Sequence, residues 1–323
     1  MSPDMNGGRG LIFPYRLART NSPLNFSVDY EGNWVYCKNT RRQRSCRLGI
    51  TGYSVTTNDS VAKITIDINK DNSVHYTFNS IRIFHDPTSY QLSIKIYDTV
   101  IYGSYYDSLG YTLFYLDDFY DVFELEICRD TINDSFMLQG ISFYNDGPGV
   151  VYNSVGVNGA MLDSYLKSEL YKKHLKALDP ELVIFSIGTN DAYTRHFDKE
   201  KFRKEYMQLL DSTLAVVPGA DIIITIPNDS YLYKRYVNHN TEKMREIIYH
   251  LAYKYHCGIW DFYSIMGGLN SVKAWYSLNL MKYDKIHFNR NGYLLKGELF
   301  FSAFLKGWEK HLTDTQAEFS END

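Results

Sequence analysis

The chain has 323 residues, 44% of them hydrophobic and 22% charged, a length that suggests two domains with sizeable cores. A net charge of −4 and the lack of any long basic run argue against a general nucleic-acid-binding role. No apolar run approaches the ~18 residues of a membrane-spanning helix, and the first ten residues hold no apolar core of a signal peptide.

Residues 1–24 read as a segment of the α/β domain described below or as a linker into the next domain. Residues 25–145 carry short stretches rich in β-branched and aromatic residues, at 61–68, 80–84, 91–97 and 122–127, where apolar and polar positions alternate. That period of two marks half-buried strands, and the polar cluster Thr57-Asn58-Asp59-Ser60 supplies a turn. No helical pattern interrupts them, so the region is expected to be an all-β sandwich of jelly-roll or carbohydrate-binding type. The 29 tyrosines suit such surfaces, and Trp34, Tyr36, Tyr105, Tyr106 and the 115–120 region offer faces on which sugars could stack, or simply core and surface aromatics. Cys37 and Cys46 are close enough in sequence to bridge in an exported protein, or to stay free thiols in strands; no Cys-x-x-Cys points to zinc or redox chemistry.

From residue 146 to 312 the pattern alternates strand and helix: a strand at 150–155, a helix at 161–178 and a nearly unbroken apolar strand at 181–187. A helix at 199–216, a strand at 221–226, a helix at 240–255, a strand at 258–262 and a helix at 292–311 follow, before a polar tail over 313–323. Apolar strands alternating with helices imply a parallel sheet buried on both faces, and in such sheets sites gather at the C-terminal ends of the strands.

Three motifs fall at those ends. Gly156-Val157-Asn158-Gly159-Ala160 could turn tightly and expose backbone N–H groups, or be an ordinary strand-to-helix turn. In Gly188-Thr189-Asn190-Asp191 the Asn190 amide could face an oxyanion, or Asn190 and Asp191 could satisfy local backbone groups. In Asp284-Lys285-Ile286-His287 a carboxylate three residues before a histidine can hold the imidazole tautomer for proton transfer. A helix-capping role or a metal pair competes, but no further His or Cys cluster supplies the three protein ligands a metal needs. His196, His239 and His256 are scattered and read as surface residues.

The order Gly-x-x-Gly, Gly-x-Asn-Asp, Asp-x-x-His on successive strand ends resembles the SGNH, or GDSL-type, hydrolase family. The resemblance implies a three-layer, flavodoxin-like α/β domain and an esterase without metal or organic cofactor. It makes Gly159 and Asn190 oxyanion-hole donors and Asp284 and His287 the acid and base of the triad, with Gly156, Asn158, Gly188 and Asp191 as pocket neighbours. The chain also looks like those bacterial carbohydrate or peptidoglycan O-acetylesterases that insert a β-sandwich after the first block, since Gly8–Pro14 and Arg19-Thr20-Asn21 resemble the segment before that insert. The implied substrate is an acylated glycan or small ester, and the implied setting is periplasmic, secreted or cell-surface if the missing N-terminus carries a signal.

One block is missing. No Gly-Asp-Ser occurs in the chain; Ser60, Ser135 and Ser230 follow Asn-Asp too late in the order, and Ser154 lacks the first glycine of a nucleophile elbow. The expectation is a chain that starts after its nucleophile, truncated or inactive as written, with a sheet lacking its first strand. The alternative is a non-catalytic carbohydrate-binding protein on a degenerate esterase scaffold.

Overall fold

The computed structural model describes residues 6–20, 25–42, 46–70, 74–129 and 134–321, with side chains to 313. Contacts divide the chain into two units, Met1–Glu181 with Gln208–Ala220, and Leu182–Met207 with Asp221–Asp323.

The first unit is built on strands β1 (Gly10–Ile12), β2 (Ser27–Glu31), β3 (Val35–Lys38), β4 (Tyr53–Thr57), β5 (Val61–Asp67) and β6 (Phe78–His85). They are followed by β7 (Gln91–Ile96), β8 (Thr99–Tyr102), β9 (Ser104–Tyr106), β10 (Tyr111–Tyr120), β11 (Val122–Cys128) and β12 (Phe136–Tyr144). One sheet runs β3-β4-β12-β6-β10-β9, with β1 also paired to β12; the other runs β2-β5-β11-β7-β8. In β5 the alternation reads directly: Ala62, Ile64 and Ile66 are buried, while Lys63 points outward to Glu124 and Glu126 of β11. Phe123 meets Phe78 and Phe143 with ring centroids 5.8 and 5.7 Å apart, closing one sheet on the other. Each such ring, fully removed from water, contributes roughly 1.5–3 kcal/mol.

Nearly every residue of β6 is buried, because this strand is covered on both faces. Phe84 packs against His174, centroids 4.7 Å apart, and Arg82 donates to the Ala177 carbonyl at 2.7 Å. Both partners lie on α2 (Tyr171–Leu178), which follows α1 (Leu162–Leu166). Burial pulls the His174 imidazole down to about 3, so it is a neutral packing residue.

Two expectations for this unit need correction. Residues 150–155 form no strand: Val150 makes a single parallel bridge to Asn6, and Asn153 instead accepts from the Leu11 N–H at 2.7 Å. Val150 and Tyr152 are exposed, and among the described residues no strand lies beside the segment to continue a ladder. The helix expected over 161–178 is two helices, because Leu170 N–H donates to the Leu48 carbonyl and Glu169 accepts from Leu48 N–H. The 1–24 segment enters this unit through β1, which pairs Gly10 with Phe143; its residues 1–5 and 21–24, including Asn21, lie outside the described set.

The second unit holds a parallel sheet of β13 (Leu182–Phe185), β14 (Asp221–Ile226) and β17 (Gly258–Asp261), in that order. Its helices are α3 (Thr189–Ala192), α4 (Lys199–Leu214, which continues into the first unit), α5 (Asn240–Tyr255), α6 (Phe262–Met266), α7 (Val272–Ser277) and α8 (Arg290–Glu321). A short hairpin joins β15 (Tyr231–Leu232) to β16 (Tyr236–Val237). Ile224 and Ile226 are fully buried, and α5 buries Met244, Ile247, Ile248, Leu251 and Ala252, one face at helical spacing. Among the described residues β13 pairs on one side only, and its Ile184 is 38% exposed. The last helix runs to Glu321 instead of stopping near 311, because no glycine or proline interrupts 308–321. No helix among the described residues is long and apolar enough to cross a membrane.

Candidate active site

His287 is held by what surrounds it in sequence. Its neighbour Phe288 is 1% exposed, packed against Phe262, Trp275 and Tyr293. The Lys282 N–H donates to the His287 carbonyl at 2.8 Å beside a bridge between Met281 and Phe288. Between these anchors the chain turns with Lys285 at φ +56°. The turn folds Asp284 back on itself: Oδ1 accepts from the backbone N–H groups of Ile286 and His287 at 2.9 and 3.0 Å, and Oδ2 lies 2.9 Å from His287 Nδ1. Burial pulls the Asp284 carboxyl upward, but the hydrogen bonds from the His287 and Ile286 N–H groups and the imidazole outweigh it and hold the group below its ordinary value. An ionised carboxylate only accepts, so Nδ1 is the donor to Asp284, and the neutral form of the ring has its lone pair at Nε2. The His287 side chain is 57% exposed, which leaves Nε2 open to a substrate.

Gly188 follows β13 at φ +121°, and a Cβ there would lie 2.7 Å from Met244 Sδ and 3.1 Å from Pro227 Cγ. Glycine is required for both reasons. It opens α3, on which Asn190 is exposed and Asp191 buried. The Ala192 carbonyl at the end of α3 accepts from the Asn238 and Asn240 amides at 3.2 and 3.0 Å. Asn238 also donates to Ser230 Oγ at 3.1 Å, the Tyr231 N–H donates to the Lys285 carbonyl at 3.0 Å, and Asn228 donates to the Ile286 carbonyl at 3.2 Å. The loop after β14 therefore ties α3 to the turn that carries Asp284 and His287. These buried amides were missed from sequence; the run Asn238-His239-Asn240 after a buried strand was the available signal.

Gly156, Asn158 and Gly159 belong to the other unit. Gly159 has φ +80° with open space where a Cβ would point, and Gly156 accepts weakly from the Tyr15 hydroxyl at 3.5 Å. Thus Asp284 and His287 are joined directly, and Gly188, Asn190 and Asp191 indirectly through α3. The serines divide similarly: Ser60, Ser135 and Ser154 are exposed in the first unit, and Ser230 is 2% exposed with its oxygen accepting from Asn238.

Among the described residues no group of three or more His, Cys, Asp and Glu could hold a metal. Of the stacking candidates, Trp34 is half-buried edge-on to Phe136 and Tyr36 lies under Arg41, while Tyr105, Tyr106 and Tyr115 are exposed. Cys37 and Cys46 form a disulfide, with Cα atoms 6.5 Å apart.

Residues 138–295 match the family model described as the GDSL-like lipase/acylhydrolase family. A solved structure of a peptidoglycan O-acetylesterase superposes with a TM-score of 0.75 at 18% identity, covering 93% of this chain and 82% of that one. More distant are an acetyl xylan esterase, with 18% identity, 49% and 81% coverage and TM-score 0.36, and a family two carbohydrate esterase from Cellvibrio japonicus, with 11%, 73%, 89% and 0.24. No curated protein sequence matches. By this match the segment 138–295 is similar to the GDSL-like lipase/acylhydrolase family, and the chain has the SGNH/GDSL hydrolase fold.

Proposed function

We propose that the chain carries the acid–base half of a serine esterase that removes O-acyl groups, acetyl above all, from a carbohydrate or peptidoglycan. The observation that carries this reading is the Asp284–His287 pair, bonded at 2.9 Å with the carboxylate pinned by two backbone N–H groups. In the mechanism a serine hydroxyl attacks the acyl carbonyl while His287 Nε2 takes its proton. The tetrahedral oxyanion receives the Asn190 amide, and the resemblance gives Gly159 the role of a second, backbone donor. As the oxyanion collapses, His287 passes the proton to the leaving sugar oxygen; water then attacks the acyl-enzyme with the same base. Asp284 stays ionised throughout and stabilises the imidazolium. The Cys37–Cys46 disulfide supports an oxidising setting, periplasmic or extracellular.

Because the chain contains no Gly-Asp-Ser, little or no turnover of p-nitrophenyl acetate is expected from the purified 323-residue protein. In a form supplied with such a block, turnover should appear and be lost in His287→Ala. Clear hydrolysis by the 323-residue chain itself, abolished by His287→Ala, would overturn the missing-nucleophile part of the reading. Turnover in that form that ignores His287 would overturn the mechanism.

A further inference from the structure

We propose that the cleft beside the Asp284–His287 pair selects anionic glycans, in which a sugar carboxylate sits close to the acyl ester. The position of the ester rests on the function proposed above; the preference for a carboxylate does not.

The cleft, of about 490 Å³, is lined by four cations, Arg195, Lys234, Arg235 and Lys285, interleaved with tyrosines that include Tyr233 and Tyr283, and by no carboxylate. In a chain of net charge −4 this is a local reversal of sign. None of the four cations takes part in an ion pair among the described residues. Three are instead held over aromatic faces: Lys234 lies 4.7 Å above Tyr283, Arg195 5.3 Å above Tyr233, and Lys285 4.9 Å above Tyr231. A ring face positions a cation without neutralising it, so the charge stays available to a ligand.

The backbone is arranged to the same end. Tyr233 and Lys234 are the central residues of a turn closed by Arg235 N–H donating to the Leu232 carbonyl at 3.1 Å, and both have positive φ, +52° and +66°. Asparagine and glycine are the residues that suit such a turn; a tyrosine and a lysine put two long side chains at the cleft instead. The Tyr193 hydroxyl fixes the turn by accepting from the Tyr233 N–H at 3.1 Å. Tyr283 and Lys285 flank Asp284 in the chain, so an anion seated on Lys285 and Lys234 lies beside the acid–base turn.

Four cations in one cleft fit one or two carboxylates, with the exposed Tyr233 and Tyr283 beside them as aromatic surface for a sugar ring. A nucleic acid would need a continuous basic track and would meet repulsion from the rest of this acidic chain.

The test is calorimetric binding to the 323-residue chain of tetragalacturonate, of neutral xylotetraose and of an oligonucleotide of the same charge, at low and high salt. Tetragalacturonate is expected to bind at least tenfold tighter than xylotetraose, with an advantage that shrinks as salt rises. In Arg195→Gln/Lys234→Gln/Arg235→Gln that advantage should disappear while the thermal melt is unchanged. Should the triple variant fail to fold, Lys234→Gln alone, at the exposed hairpin tip, should lower the affinity about threefold. Equal affinity for the neutral sugar, an oligonucleotide binding as tightly, no binding of any of them, or variants that bind normally would each overturn the proposal. No hydrolysis is measured, so a failure of the esterase reading leaves this result intact, and an active esterase without the charge preference overturns this proposal alone.

Discussion

At His287 the reactive nitrogen is set by a carboxylate that is itself fixed by two backbone N–H groups. Replacing Asp284 by Asn keeps the size but offers an amide where the imidazole needs an anion. In Asp284→Asn the Nδ1–H tautomer of His287, followed by ¹⁵N chemical shifts, is expected to give way to a mixture. In a form that bears a nucleophile, turnover should fall by roughly 10⁴. Since the Asp284 carboxyl is held below its ordinary value, its stabilisation is present above that value and is lost as pH falls through the lowered one. Asp229 behaves in the opposite sense. It is fully buried, accepts from the Val272 N–H at 3.0 Å at the start of α7, and is pushed up to about 6 by burial, against the pull of backbone N–H groups. Between about pH 4 and 6 the folded protein holds a proton that the unfolded chain releases, so stability falls as pH rises through that window, by roughly 3 kcal/mol in full. Asp229→Asn should therefore melt higher than the parent at pH 7.5 and no higher at pH 4, as calorimetry would record.

Among the elements, the entry to α8 decides whether the acid–base turn keeps its place. A Cβ on Gly292 would lie 2.0 Å from the Leu280 carbonyl oxygen, and the Asn289 N–H donates to that same oxygen at 3.1 Å. Backbone cannot move aside as a flexible side chain can, so Gly292→Ala is expected to cost about 1–3 kcal/mol in urea unfolding. It should also broaden the His287 resonances. The Asp284–His287 contact was legible in sequence because residues three apart meet within one turn of chain. The β15–β16 hairpin was not, because Tyr233 and Lys234 occupy a turn whose usual signal is asparagine and glycine. The break between α1 and α2 was hidden for a different reason: it depends on Leu48, more than a hundred residues away.

For the molecule as a whole, the first unit carries a covalent constraint that the second lacks among the described residues. Cys37 and Cys46 close a short loop, which restricts the unfolded chain by about 2–3 kcal/mol on the loop-entropy account. Cys37→Ser/Cys46→Ser should lower the stability by about that amount, and adding a reductant should bring the parent protein to the same melting temperature. A parent melt indifferent to reductant would show that the bridge does not constrain this unit.

The sequence by itself determined what neighbouring residues encode: the period-two strands before residue 145, the alternating strands and helices after it, and the pairing of Asp284 with His287. Tertiary structure decided what depends on distant partners. It set β1 against β12 across some 130 residues, gave 150–155 a single bridge among the described residues, and tied α3 to the acid–base turn through Asn228, Asn238 and Asn240. It also gathered Arg195, Lys234 and Lys285 into one cationic cleft. Periodicity and spacing are local and survive in a string of letters, whereas hydrogen bonds and charges drawn from separate loops meet only when the chain has closed around its sheets.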